Sequence, residues 1–158
     1  MAASDNLRRL HSKESNRDCI YRALEKTPSI YNGCPLFHAA GFMAGLFMMP
    51  SGSILIIGPP GQPSSPQMFK QMLHATRPES VFLPPLVVDQ IAQEPAMVKE
   101  ASKLKMLAFG GGSISQEAGD TLAKKTQMIN IIGSSECGLL GEYIKTGIGS
   151  ISQSPRWA

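Results

Sequence analysis

Two turns rich in glycine and serine are the segments of this 158-residue sequence best suited to chemistry. The first is Gly110-Gly111-Gly112-Ser113 and the second is Gly133-Ser134-Ser135, and each follows an apolar run. Glycine lets the backbone approach a ligand, and serine hydroxyls and free backbone N–H groups can bind phosphate oxygens. Glu136 adds a carboxylate where a magnesium ion that bridges phosphate and protein would need one. The simpler alternative is that both turns are ordinary loops after strands.

Several better-defined chemistries are not supported by the spacing. The sequence has no Gly-x-x-x-x-Gly-Lys phosphate loop, and Gly110-Gly111-Gly112 lacks the later glycine of the dinucleotide fingerprint. A nucleophile elbow would need glycine where Ser115 stands, which argues against a serine hydrolase. The three histidines include no pair at a helical metal spacing, so zinc would need ligands from distant segments.

His38 is a further candidate because it stands among small residues, ahead of an apolar stretch. Two interpretations are open for it: a hydrogen-bonded histidine in the core or at a helix start, or a catalytic residue. Two interpretations are also open for the methionines Met43, Met48 and Met49. Their thioether side chains can fill a hydrophobic core, and they also suit an adaptable apolar pocket.

The composition restricts the class of protein that carries these residues. Hydrophobic residues make up 42% and charged residues 17%, which is enough apolar surface for one domain with a real core. The net charge is +3, and the basic residues are scattered, so nucleic acid is not an expected partner. Three cysteines without a Cys-x-x-Cys pair and a polar first segment favour a reduced, cytoplasmic setting.

A long uncharged stretch must pack against the rest of the domain. Between Tyr31 and Thr76 only Lys70 is charged, so we expect most of this stretch to be covered on both sides. Within it, the segment His38–Ile57 is broken by Pro50-Ser51-Gly52-Ser53, which favours a buried helix and then a buried strand. A membrane-associated segment is the alternative.

The remaining sequence alternates between strand and helix patterns. Helices are predicted to begin at Ser65-Pro66 and at Ser115, where serine can cap the helix. Strands are predicted at residues 53–57, 80–83, 104–109, 128–132 and 142–145, and further helical spacing at 86–93. This rhythm predicts an α/β fold with a mostly parallel sheet, in which ligands bind at the carboxyl ends of the strands. We divide the chain into a polar extension at 1–34, a domain at 35–146 and a flexible tail at 147–158.

Four motifs in order resemble the adenylate-forming superfamily, which includes acyl-CoA synthetases, luciferases, adenylation domains of nonribosomal peptide synthetases and carboxylic acid reductases. They are Pro35-Leu36-Phe37-His38-Ala39-Ala40-Gly41, Val81-Phe82-Leu83-Pro84-Pro85-Leu86, the loop from Leu107 to Ser115, and Ile132-Gly133-Ser134-Ser135-Glu136. The resemblance implies a partial layered α/β/α domain, a slice of the large N-terminal domain of such an enzyme.

The resemblance also implies a two-step reaction with ATP and magnesium. A carboxylic acid forms an acyl-adenylate, and the acyl group then passes to a thiol of CoA or of carrier-protein phosphopantetheine. His38, Gly110 and Gly111 would line the acid pocket, and Glu136 would bind the magnesium ion. No catalytic residue is assigned, and the nucleotide would lie near a larger group: Gly112, Ser113, Ile132, Gly133, Ser134 and Ser135.

Departures from the family pattern bear on activity. Ile132 replaces an aromatic residue that stacks on adenine, and Gly112-Ser113 replaces an Ala-Pro pair. The glycine-rich phosphate loop and the C-terminal catalytic lysine of the family have no counterpart here. We therefore expect a fragment of an adenylate-forming ligase with little or no activity alone. The alternative is a non-catalytic α/β module that binds a nucleotide or a protein, with self-association through exposed sheet edges.

Overall fold

A six-stranded sheet forms the centre of the computed structural model, which describes residues 27–48, 52–136 and 138–145. The strand order is β2-β1-β3-β4-β5-β6; the first five strands are parallel, and β6 runs antiparallel to β5. This arrangement confirms the predicted α/β fold with a mostly parallel sheet. The strands are β1 (Ser29–Asn32), β2 (Ile54–Ile57), β3 (Ser80–Leu83), β4 (Met106–Gly110), β5 (Gln127–Ser134) and β6 (Gly138–Lys145).

Five described helices connect these strands and cover the sheet unequally. Four of them, α2 to α5, contribute to one hydrophobic cluster, and α1 contributes to a second cluster on the other face. The sheet therefore has a thick helical layer on one side and α1 on the other. The helices are α1 (Ala39–Met48), α2 (Pro66–Thr76), α3 (Pro85–Gln93), α4 (Pro95–Ala101) and α5 (Gln116–Ala123).

Strand β4 is a continuous apolar run because both of its faces are covered. Leu107 and Phe109 belong to the cluster under α2–α5, whereas Met106 and Ala108 belong to the cluster with α1. Successive side chains of a strand point to opposite faces, so a strand covered on both faces needs apolar residues at every position. All five residues of β4 are buried.

The two predicted serine caps are present. Ser65 Oγ accepts a hydrogen bond from the backbone N–H of Met68 at 3.1 Å, and Pro66 opens α2. Ser115 Oγ accepts from the N–H of Ala118 at 3.2 Å and caps α5. Each cap satisfies one of the free N–H groups that every helix start exposes.

Two elements were not predicted from the sequence. Strand β1 lies within the range 1–34, where the charged residues that precede it dominated the composition, and it pairs with both β2 and β3. Helix α4 is only seven residues long, and Glu94 alone separates it from α3. The apolar spacing of the two helices was therefore not resolved into separate elements.

Some predicted details were wrong. β2 was expected to be buried, but Ile54 and Ile57 are 66% and 50% exposed because β2 has β1 as its sole neighbour among the described strands. Gly133 and Ser134 were expected in a turn, but they continue β5 beyond a register shift between Ile132 and Gly133.

Other predictions meet the limits of the described residues. The segment 38–57 forms α1 and then β2, and none of the helices in the described part of the chain has the length and hydropathy that a bilayer crossing requires. The exposed helix or loose tail predicted before residue 27 lies outside the described residues, as do Met49 and the tail at 147–158.

Candidate functional site

A cavity of about 320 Å³ lies at the carboxyl ends of β3, β4 and β5, on the face of the sheet that carries α1. The strand order reverses direction beside it, because β1 is followed by β2 on one side and by β3 on the other. Open parallel sheets bind ligands at such a switch point. The cavity is lined by His38, Ala39, Ala40, Met43, Ala44, Phe82, Gly110, Gly111, Ile131, Gly133, Ser134, Ser135 and Glu136.

The first turns of α1 form one wall. The backbone C=O of His38 accepts from the N–H of Phe42 at 3.0 Å, and its ring Nδ1 accepts from the N–H of Ala40 at 3.4 Å. His38 thus stands at the helix start, as one of the two interpretations of this residue predicted, and its side chain also borders the cavity. Ala40 and Ala44 leave open space because their side chains are small.

A short loop joins β1 to this wall, and the side chain of Asn32 spans it. Asn32 Nδ2 donates to the C=O of Gly41 at 3.0 Å, and Asn32 Oδ1 accepts from the N–H of Cys34 at 3.0 Å. The N–H of Gly33 donates to the C=O of Phe82 at 2.8 Å, which ties the loop to the end of β3.

The end of β4 and its turn form the second wall. Gly110 is paired with Ile131 on β5, and a Cβ at Gly110 would lie 2.7 Å from the carbonyl oxygen of Ile131. Gly111 has a φ of +86°, a conformation that favours glycine. The turn is held from behind by Asp89, whose Oδ1 accepts from the N–H of Ser115 at 2.9 Å and from its hydroxyl at 2.8 Å.

The third wall is the end of β5 and the turn after it. Ile131 supplies an apolar side chain, and the residues from Gly133 to Glu136 supply two hydroxyls and a carboxylate. Ile132 is 51% exposed and is not among the lining residues, since neighbouring side chains of a strand alternate between faces.

The structure brings seven of the ten sequence-predicted site residues to one cavity: His38, Gly110, Gly111, Gly133, Ser134, Ser135 and Glu136. The other three, Gly112, Ser113 and Ile132, are outside its lining. Sequence reasoning did not single out Phe82 or Ile131 for the site. Their position on the α1 face of two strand ends could have been inferred from the two-residue period, but only once the side that α1 covers was known.

The polar groups of the cavity are few. Among the described residues that line it, Glu136 is the sole carboxylate, and the described part of the chain contains no group of three or more His, Cys, Asp or Glu that could hold a metal ion by themselves. Magnesium commonly takes one or two carboxylates and completes its shell with phosphate oxygens and water. The donor set here, one carboxylate with serine hydroxyls beside it, fits an ion carried by a nucleotide.

Cys34 lies behind the α1 wall, and its thiol is poorly suited to act as a nucleophile. Its side chain is buried, and burial raises the pKa of its thiol to about 12. Burial also raises the pKa of Tyr31, with a smaller contribution from the neighbouring Cys34. Both groups therefore stay neutral at physiological pH.

The family model and the relatives that match this chain agree on one family. The family model described as "AMP-binding enzyme" matches residues 6–156. A carboxylic acid reductase of Neurospora crassa is 26% identical over 141 residues, which are 86% of this chain and 13% of that protein. The adenylate-forming reductase Nps10 of Heterobasidion annosum is 26% identical over 114 residues, 70% of this chain and 10% of that protein.

Solved structures share the fold. The N-terminal subdomain of Klebsiella oxytoca NpsA, in complex with 3-hydroxybenzoyl-AMSN, superposes with a TM-score of 0.65 at 17% identity, over 85% of this chain and 35% of that one. Holo-PA1221, a nonribosomal peptide synthetase protein with adenylation and PCP domains, superposes with a TM-score of 0.64 at 15% identity, over 75% of this chain and 21% of that one. The chain thus spans a small part of each relative.

Proposed function

The chain belongs to the AMP-binding enzyme family, and from that premise we propose that it is the part of an adenylate-forming ligase that binds a carboxylic acid and its adenylate. The full reaction joins a carboxylic acid to the α-phosphate of ATP with release of pyrophosphate, and then passes the acyl group to a thiol. The cavity at the ends of β3, β4 and β5 is the observation that carries this proposal.

Two chemically different halves of this cavity support the two parts of an acyl-adenylate. The half formed by α1 and β4 is apolar and made of small residues, among them Ala40, Ala44 and Gly110, which suits the acyl group. The half formed by the end of β5 carries the hydroxyls of Ser134 and Ser135, which suit phosphate oxygens.

We assign roles to the predicted residues on this basis. His38, Gly110 and Gly111 border the acid. Glu136 would hold a magnesium ion, which would supply charge neutralisation at the phosphates. The nucleotide lies along the second half of the cavity and the turns beside it, near Gly112, Ser113, Ile132, Gly133, Ser134 and Ser135.

The partners and setting follow from the same proposal. The acceptor is a thiol of CoA or of a carrier-protein phosphopantetheine, and a relative that contains an adenylation domain with a PCP domain supports the second choice. We place the protein in the cytoplasm. We also expect the 158-residue chain alone to have little or no ligase activity, because it contains no counterpart of the family's phosphate loop or catalytic lysine.

The binding experiment uses 3-hydroxybenzoyl-AMSN, the compound in the Klebsiella oxytoca complex, and ATP with magnesium. Isothermal titration calorimetry should detect both, and Glu136→Gln should weaken ATP only when magnesium is present. Glu117→Gln is the matched control, because Glu117 is an exposed glutamate in the first turn of α5 and is not among the cavity residues. No heat of binding with either ligand, for a chain that melts cooperatively, would refute the proposal.

A second candidate function is a non-catalytic module that associates with copies of itself. The observation that favours it is the exposure of Ile54 and Ile57 on β2, since an apolar strand at a sheet edge can pair with another chain. Sedimentation velocity over a hundredfold range of concentration should then show dimers or larger species. A single monomer species, together with acid-dependent ATP/pyrophosphate exchange, would reject this candidate and the inactivity expected above.

A further inference from the structure

Asn32 is a buried polar residue that has no role in the proposed function. It ends β1, is 2% exposed, and is not among the residues that line the cavity. Its side chain nevertheless makes two hydrogen bonds, one to each end of the segment that leads from β1 into α1.

The carboxamide suits this position because it both donates and accepts. Its nitrogen donates to the C=O of Gly41 in the first turn of α1, and its oxygen accepts from the N–H of Cys34 in the loop. A leucine of similar volume could do neither, and a carboxylate could accept but not donate. A buried donor or acceptor that loses its hydrogen-bond partner lowers the stability of the fold. The carboxamide of Asn32 therefore holds the C=O of Gly41 and the N–H of Cys34 in a fixed relation.

The same two segments are in direct backbone contact. A Cβ at Gly41 would lie 2.2 Å from the carbonyl oxygen of Pro35 and 2.7 Å from that of Cys34. Because there is no room for a side chain at Gly41, the loop packs closely against the start of α1. The hydrogen bond from Gly33 to Phe82 fixes the other end of the loop on β3.

We propose that Asn32 is a positioning residue for the cavity. It holds the loop of residues 33–38 against the first turn of α1, so that His38, Ala39 and Ala40 form a wall that is in place before any ligand arrives. The inference rests on the proposed function only for the identity of the ligand.

Hydrogen exchange tests the positioning without any ligand. In the unmodified chain, the carboxamide protons of Asn32, observed by NMR, should exchange at least tenfold more slowly than those of free asparagine at the same pH. Exchange at the free rate would overturn the proposal, because it would show that the bond to Gly41 is not held in solution. This measurement stands even if every variant at position 32 fails to fold.

Variants test the consequence for the wall. Asn32→Leu should speed the exchange of the amides of residues 34–41 at least tenfold and weaken binding of 3-hydroxybenzoyl-AMSN at least tenfold. Ile30→Val is the matched control, since Ile30 is a fully buried residue of the same strand and belongs to the cluster with α1. It should change neither quantity, although it also removes buried contacts.

The outcomes separate the two proposals. Unchanged exchange at residues 34–41 in a folded Asn32→Leu protein, or equal effects of Ile30→Val, would overturn the positioning role. A chain that does not bind 3-hydroxybenzoyl-AMSN or ATP would overturn the proposed function, and the exchange measurements would still decide the role of Asn32.

Discussion

Three consecutive glycines at the end of β4 and in the turn after it give a sharp test of the structure, because each is placed in a different environment. A Cβ at Gly110 would lie 2.7 Å from the carbonyl oxygen of Ile131 and 3.3 Å from its Cβ. Gly111 has nothing within 4 Å but has a φ of +86°, and a Cβ at Gly112 would meet only Pro85 at 3.5 Å. Alanine at these positions should therefore have three different effects.

The magnitudes follow from these distances. Ordinary contacts begin at 3.4 Å, so Gly110→Ala must separate β4 from β5 by about 0.7 Å, the shortfall at the Ile131 oxygen. Overpacking of this kind costs about 1–3 kcal/mol of unfolding free energy. Gly111→Ala should cost about 1–2 kcal/mol through its backbone conformation alone. Gly112→Ala has neither problem and should stay within about 0.5 kcal/mol of the parent.

Urea unfolding followed by circular dichroism would measure the three free energies in parallel. The prediction fails if Gly110→Ala is as stable as Gly112→Ala, because β4 and β5 would then tolerate a methyl group that the structure excludes. It also fails if Gly112→Ala proves the most destabilising of the three, since that glycine has ordinary space and no positive φ.

Three further predictions concern the cap of α2, the turn after β4 and the buried thiol of Cys34. Ser65→Ala removes the side-chain cap of α2 and should lower the unfolding free energy by about 1 kcal/mol in urea melts, whereas Ser65→Thr should retain most of it. Asp89→Ala removes both bonds to Ser115 and should cost about 1–2 kcal/mol; no change in the melt would show that the turn after β4 is held by other contacts. Cys34 in a variant with serine at Cys19 and Cys137 should resist iodoacetamide at pH 8 until urea unfolds the chain. In the folded chain the Cys34 thiol has a pKa of about 12, above its ordinary value of 9.0. The contribution of the neutral thiol to the unfolding free energy is therefore full below pH 9 and is lost as the pH rises toward 12. Melts of the parent and of Cys34→Ala across this pH range would check it.

The alternation of apolar runs and turns was sufficient to predict most of the sheet. Ser80–Leu83 was predicted to the residue, because Pro84 and the charged residues before it define both ends of an apolar run. The cap at Ser65 was equally readable, since serine followed by proline has a local chemical reason to begin a helix. These elements are determined by their own residues.

The features that were missed depend on distant parts of the chain. The interior position of β1 follows from pairing with β2 and β3, which begin 25 and 51 residues later than Ser29. The exposure of Ile54 follows from β2 being at the edge of the described sheet, which its apolar sequence does not reveal. The bonds of Asn32 depend on where α1 folds back, so nothing in the local spacing marks this residue for the site.

The interior position of β1 also sets an order of events while the chain is being made. Ser29 lies 50 residues before Glu79, whose backbone N–H bonds to its hydroxyl, and the pairing of β1 with β3 begins one residue later. At about 5–20 residues per second, a ribosome needs roughly 3–10 s to add those 50 residues. During that interval β1 has no β3 to pair with, so its interior place in the sheet is completed only after Ser80–Leu83 has been made.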